Sequence, residues 1–206
     1  MASVLARVKL ARAARLLNAA APHLPPLILM TDQTRLADPL AAARALPKGA
    51  AIILRHTEAA PRAALARALH KIARQRGLRL LIAGDAGLAA RLPCDGLHLP
   101  EARAGEAVHW KALHPDWLIT ASAHSRRGLG VAARARCDAV LLAPVFATQS
   151  HIGREPFGVS RFCTLAGSAR LPVYALGGVN ATNVQRLAGT RLAGIAAIEA
   201  LIPAHS

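Results

Sequence analysis

Residues 78–99 read LRLLIAGDAGLAARLPCDGLHL, and the fold turns on how that stretch divides. LRLLIAGD (78–85) is an apolar run that stops on glycine and aspartate, and DGLHL (95–99) is a second run. Between them lies a short segment near 86–92 with helical spacing. The apolar residues come in unbroken blocks instead of alternating with polar ones. Such blocks suit strands buried on both faces, as in a parallel sheet with helical crossovers.

The same unit recurs on either side. LILMTD (27–32), AAIILRH (50–56), WLITASAH (117–124), DAVLLAPVF (138–146), LPVYALGG (171–178) and LAGIAAIE (192–199) bring the candidate strands to eight. Helical stretches are expected near 37–46, 61–76, 86–92, 102–113, 126–136, 159–167 and 181–188. The clearest is PRAALARALHKIARQR (61–76), with Leu65, Leu69 and Ile72 on one stripe, Pro61 in the first turn and Gly77 as the stop. Ser125 and Asn180 stand where N-caps belong. Eight β-α repeats predict an α/β fold, a compact (β/α)8 TIM barrel over residues 26–206. An open doubly wound sheet would use fewer strands and a glycine-rich first turn, whereas TDQTRL (31–36) carries no glycine. Residues 1–25, basic and free of acid, are expected to form an extra helix and linker that pack on the barrel.

The chain has 206 residues, 53% of them hydrophobic and 18% charged, which is ample for a core and unlike a disordered composition. No apolar run approaches the roughly 20 residues of a membrane helix. The net charge of +15 raises nucleic acid as a partner. Its arginines are spread evenly, however, and aromatic residues are only 3%, so stacking platforms are scarce. The expectation is no nucleic acid and no membrane, with a positive field that draws in phosphorylated metabolites. Cys94, Cys137 and Cys163 form no paired motif, so a disulfide framework or zinc site is not expected; a reducing compartment, the cytoplasm, is. An alanine-rich barrel exterior leaves room for a homodimer.

Barrels of this kind place chemistry at the C-terminal ends of their strands. Those ends carry Asp32, then Arg55 and His56, Asp85, His98, Ser122 with His124, and a strand-6 loop, FATQSH (146–151), containing Thr148. Plain structural roles stay open for some of them. Asp32 and Asp85 suit helix caps, Arg55 suits an ion pair with Asp85, and His98 suits a hydrogen-bonded core position. Ser122 and His124 are two apart and so share one side of an extended chain. Histidine's ordinary pKa of about 6.5 fits proton transfer near neutrality. In ALGGVNATNV (175–184), Gly177 and Gly178 let backbone approach a ligand, and a helix starting at Asn180 would offer N–H groups to phosphate. The strand-8 turn adds N–H groups at Ile198 and Glu199.

The order and spacing of TD (31–32), LR (54–55), GD (84–85), DGLHL (95–99), SAHS (122–125), DAVLLAPVFAT (138–148) and ALGGVN (175–180) resemble the thiamine phosphate synthase/TenI family from about residue 27 onward. Members of that family either join a pyrimidine diphosphate to a thiazole phosphate or isomerise the thiazole phosphate. This chain departs from the synthase pattern. Thr57 stands where a lysine is usual, Gly84 precedes Asp85 where asparagine is usual, and Pro100, Glu101 and Arg103 replace a Gly-Gln pair and a metal-binding aspartate. Gln149 and His151 occupy a loop that usually carries lysines. The resemblance therefore implies first a TenI-like thiazole phosphate isomerase needing no cofactor or metal, with His124 as proton shuttle and Ser122 and Arg55 orienting the ring. Gly177, Gly178, Ile198 and Glu199 would take its phosphate, with Asp32, Asp85, His98, Arg103 and Thr148 as further substrate contacts. The alternatives are a divergent thiamine phosphate synthase, using Mg²⁺ on Asp85 with Arg55 or Arg103 replacing lost charge, and a non-catalytic regulatory relative.

Overall fold

A computed structural model describes residues 2–56, 59–149 and 155–203, with residues 59–61 by their backbone alone. Eight strands stand where the apolar runs predict them: β1 (Leu27–Met30), β2 (Ala51–Leu54), β3 (Arg79–Ala83), β4 (Gly96–Leu99), β5 (Leu118–Ala123), β6 (Ala139–Leu142), β7 (Val173–Ala175) and β8 (Gly194–Ala197). They form one closed parallel barrel in sequence order, and β1 pairs with β8 to complete the ring. Helices α1 (Val4–Leu17), α2 (Pro39–Arg44), α3 (Ala59–Arg76), α4 (Ala86–Arg91), α5 (Ala107–Leu113), α6 (Arg126–Arg134) and α7 (Gly158–Gly167) accompany them. The fold is a (β/α)8 TIM barrel. Among the described residues, no helix is long and apolar enough to cross a membrane.

Alternation within each unbroken run divides the core in two. Ile28, Met30, Ile53, Leu81, Leu118, Leu141, Tyr174 and Ala196 point inward and fill the barrel. Leu27, Leu29, Ile52, Leu54, Leu80, Ile82, Ile119 and Leu142 point outward under the helices. Both sets are buried because the helices cover the outer face, which is why the sequence shows no polar alternation. Tyr174 fills much of the interior, and its hydroxyl donates to Pro25 O at 2.7 Å.

Two expected helices take another form. The 102–113 stretch begins as a 3₁₀ segment, Glu101–Glu106, before α5. The 181–188 stretch is a turn followed by a four-residue 3₁₀ segment, Val184–Leu187. Asn180 makes the side-chain bonds of an N-cap there, but the turn it opens tightens into the short 3₁₀ segment and does not continue as an α-helix. Asn183 Oδ1 accepts from Asn180 N, and Asn180 Oδ1 accepts from Thr182 N and Asn183 N. Ser125 does cap α6, accepting from Gly128 N.

The basic N-terminal segment packs by Leu10, Ala14 and Leu17 against the β8 and β1 side of the barrel. Asn18, buried just beyond α1, fixes it there. Its Nδ2 donates to Ala21 O at 2.9 Å and to Ala193 O at 2.6 Å, 175 residues away. Asn18→Ala leaves both buried carbonyls without that donor. Chemical denaturation should show a loss of about 2 kcal/mol or more; an unchanged midpoint and slope would remove this clamp from the account.

Candidate active site

The strand ends sort the polar residues into three regions. At the centre, His98 lies inside the barrel and not on the open rim. It is 4% exposed. In the β4–β5 register His98 stands beside Thr120. Its Nδ1 pairs with Thr120 Oγ1 at 2.9 Å and its Nε2 with Ser122 Oγ at 3.0 Å. Burial, helped by the positive charge of Arg55, pushes its pKa down to about 3. His98 is thus a neutral ring bridging two hydroxyls. The expected substrate contact is a core position, and Ser122 is its partner.

Two residues further along β5, His124 leaves the barrel wall. Its Nδ1 lies 2.9 Å from Ala143 O, an acceptor, so the proton sits on Nδ1 and the lone pair on Nε2. Its backbone N–H donates to Glu101 Oε2 at 2.8 Å, and Ser125 Oγ donates to Glu101 Oε1 at 3.3 Å. Glu101 therefore ties the β4 loop to the start of α6. A Cβ at Gly128 would fall 2.4 Å from Glu101 Oε1, so that carboxylate depends on glycine in the first turn of α6. The hollow beside His124 is lined by Glu101, Ser125, Pro144, Phe157 and Arg161.

The β7 and β8 ends form a second region, a cleft of about 400 Å³. Gly177 and Gly178 turn there at φ 92° and 67°, values that L side chains resist. A Cβ on Gly178 would meet Ala147 O at 2.4 Å, so glycine is required by the neighbouring β6 loop as well as by any ligand. Among the described residues, no backbone acceptor takes the N–H groups of Gly177, Gly178, Ile198 or Glu199. Thr148 and Gln149 line the same cleft. The helix expected from Asn180 is absent, so its N-terminus contributes nothing. Glu199 lines the same cleft, and its half-exposed carboxylate stands 3.7 Å from Arg35 Nη1.

Arg35 belongs to this cleft and was not among the expected site residues. Asp32 holds it with a 2.6 Å ion pair, while Asp32 Oδ1 accepts from Thr34 N, Thr34 Oγ1 and Arg35 N. These bonds, Arg35's first among them, keep the Asp32 carboxyl well below its ordinary range. Asp32 thus shapes the β1 turn. The signal in the sequence is the three-residue spacing of Asp32 and Arg35, a pairing distance on a turn.

The third region is the β2–β4 rim. Asp85 caps α4, its Oδ1 accepting from Leu88 N at 2.8 Å. Arg62, 8% exposed, donates from Nη2 to Ala83 O and lies within the field of Asp85. Arg103 donates from Nη1 to Gly84 O at 2.8 Å, and its other nitrogens grip Glu106 at 2.6 and 2.8 Å. The expected Arg55–Asp85 pair does not form: the carboxylate that Arg55 senses is Asp32, while Arg62 and Arg103 sense Asp85. Among the described residues Arg55 makes no ion pair. Loss of water lowers its pKa, with Asp32 acting in the opposite sense. Thr57 and His151 lie outside the described residues.

Comparison with known proteins now bears on this geometry. A family model described as thiamine monophosphate synthase (TMP-TENI) matches residues 27–201. A putative thiamine-phosphate synthase of Geobacter sulfurreducens is 33% identical over 139 residues, 67% of this chain and 65% of that protein. The chain thus spans just under two thirds of that relative's length. A thiamine-phosphate synthase of Chlorobium luteolum is 33% identical over 190 residues, covering 90% of this chain and 89% of the relative. Among solved structures, a thiamine phosphate pyrophosphorylase from Pyrococcus furiosus superposes with a TM-score of 0.70 at 26% identity, covering 84% of each chain.

The neutral state of His98 has a consequence for stability. Unfolding returns the ring to its ordinary value of 6.5, so between there and about 3 the unfolded chain binds a proton that the folded chain refuses. The stabilisation is complete above that window and is lost as pH falls through it, at up to about 1.4 kcal/mol per pH unit. Denaturation followed from pH 7 to pH 4.5 should show a shallower decline for His98→Gln than for the parent. Parallel curves would mean that His98 is protonated in the fold.

Proposed function

The chain belongs to the thiamine monophosphate synthase (TMP-TENI) family, and on that premise we propose that it is an enzyme joining a pyrimidine diphosphate to a thiazole phosphate with release of diphosphate. The observation that carries this reading is the presence of two separate anion-ready regions on one barrel mouth. One is the β7–β8 cleft, with the N–H groups of Gly177, Gly178 and Ile198 and the guanidinium of Arg35. The other is the β2–β3 rim, where Arg55 and Arg62 stand without ion pairs among the described residues. A joining reaction between two phosphorylated molecules needs two such places; an isomerisation needs one. The names of the similar proteins, thiamine-phosphate synthase and thiamine phosphate pyrophosphorylase, lean the same way.

In this reading the β7–β8 cleft takes the monophosphate of the thiazole. Backbone N–H groups fix its position, Arg35 adds a donor beside it while paired to Asp32, and Thr148 borders the bound ring. Asp32 holds Arg35 in place. Arg55 meets the diphosphate across the mouth. His98 and Ser122 form the floor, giving the mouth a fixed polar base. Residues 1–25 act as a packed addition to a barrel unit spanning 26–206.

Joining chemistry in this family implies Mg²⁺, and the residues here do not fit it. Magnesium needs oxygen donors from one or two carboxylates near an octahedral arrangement. Asp85 is committed to capping α4 and is flanked by Arg62 and Arg103. Glu106 is gripped by Arg103, and Glu101 is committed to His124 and Ser125. Among the described residues no three metal-binding side chains gather.

A second reading rests on His124. Its Nδ1–H is held by Ala143 O, leaving basicity on Nε2 as a proton shuttle for a thiazole phosphate isomerase requires. Against it, the hollow beside His124 and the glycine cleft share no lining residue among the described residues.

The two readings separate in one assay. With both substrates supplied, thiamine phosphate and diphosphate should appear together. Arg35→Ala should raise the KM for thiazole phosphate about tenfold or more, and His124→Ala should retain most of the turnover. Failure to form product, together with His124-dependent proton exchange on thiazole phosphate alone, would transfer the assignment to the isomerase.

A further inference from the structure

The charge at the β2–β4 rim is unevenly matched. Arg35 is answered by Asp32 and Glu199, and Arg103 by Glu106. Arg55 and Arg62 have no ion pair among the described residues. Arg62 is the more telling of the two. It is buried to 8% exposure, one nitrogen reaches Ala83 O, and its Nε is buried with no hydrogen-bond partner. A buried guanidinium with an unmet donor is costly unless an acceptor arrives. Asp85, the opposing charge it senses among the described residues, spends one carboxylate oxygen on the Leu88 N–H.

These groups gather around one turn. The Ala83 carbonyl places the Arg62 guanidinium at the end of β3, and the Gly84 carbonyl places Arg103 on the next residue. Arg55 extends from the adjoining β2 end, in the ladder where Leu54 stands beside Ile82. An arginine fork matches phosphate oxygens two at a time, and several forks together suit a group bearing more than one phosphoryl unit. The same cations repel a divalent metal from Asp85.

We propose that the β2–β3 rim is a diphosphate subsite in which Arg55 and Arg62 supply the positive charge in place of a divalent metal, so that this chain binds an organic diphosphate without Mg²⁺. Arg103 keeps the Gly84–Asp85 turn in position through its bond to Gly84 O and its grip on Glu106. Assigning the diphosphate to a pyrimidine rests on the joining reaction proposed above. The anion binding itself does not.

Calorimetric titration of the full chain with inorganic pyrophosphate in EDTA tests this directly. Binding is expected in EDTA, and excess Mg²⁺ should tighten it by no more than about threefold. Arg55→Met should weaken it about tenfold or more. Arg62→Gln should do the same in preparations whose circular dichroism matches the parent, and Arg44→Met, at an exposed position of α2, should bind as the parent does. Pyrophosphate binding that requires Mg²⁺, or no binding in either medium, would overturn the subsite, as would parent-like binding by Arg55→Met. Product formation measured on the same preparations separates the two proposals. Thiamine phosphate formed only with Mg²⁺ overturns the subsite and leaves the synthase reading standing. Pyrophosphate binding in EDTA without any thiamine phosphate keeps the subsite and overturns the synthase reading.

Discussion

Closure of the parallel barrel buries both faces of every strand, and the remaining features of the molecule depend on that constraint. A strand packed inside and out has almost no tolerance for charge, so ionisable groups are driven to the strand ends. The polar side chains that remain inside, His98 and Thr120, satisfy one another by hydrogen bonds. His98 is kept neutral by the same burial. A barrel mouth on such a floor collects the arginines and aspartates of eight loops within one small area.

How those charges pair decides what the mouth can hold. Asp32 and Glu199 face Arg35, Glu106 faces Arg103, and Asp85 completes the first turn of α4. The carboxylates are therefore committed to structure. Among the described residues, two guanidiniums and a set of backbone N–H groups on the opposite side stand without such partners and suit anions. This distribution favours phosphorylated ligands on both sides of the mouth and leaves little for a divalent cation.

The strands were legible in the sequence because burial on both faces leaves an unbroken apolar run, and each such run became a strand. The Gly177–Gly178 turn was legible for a related reason, since two glycines beside a strand end mark a tight backbone turn. Asn180 was legible as a cap, since its side chain accepts from Thr182 N and Asn183 N, but the sequence did not show that only a turn and a short 3₁₀ segment would follow. Arg35, Arg62 and Glu101 could not be assigned from spacing alone. Long side chains reach over a loop, and where their heads land depends on contacts such as Arg62 to Ala83 O or Glu101 to His124 N, which join residues 21 and 23 positions apart. His98 was readable as polar within an apolar strand, but its partners became visible only in the register that sets Thr120 beside it.

The proposed joining reaction needs one barrel mouth to hold two anions at two separate places. A crystal structure obtained with thiazole phosphate and inorganic pyrophosphate together, in EDTA, tests it most directly. The expected result is a monophosphate on the N–H groups of Gly178 and Ile198 beside Arg35, and a pyrophosphate against Arg55 and Arg62. Both ligands in the glycine cleft, or the thiazole phosphate seated in the hollow beside His124, would contradict it.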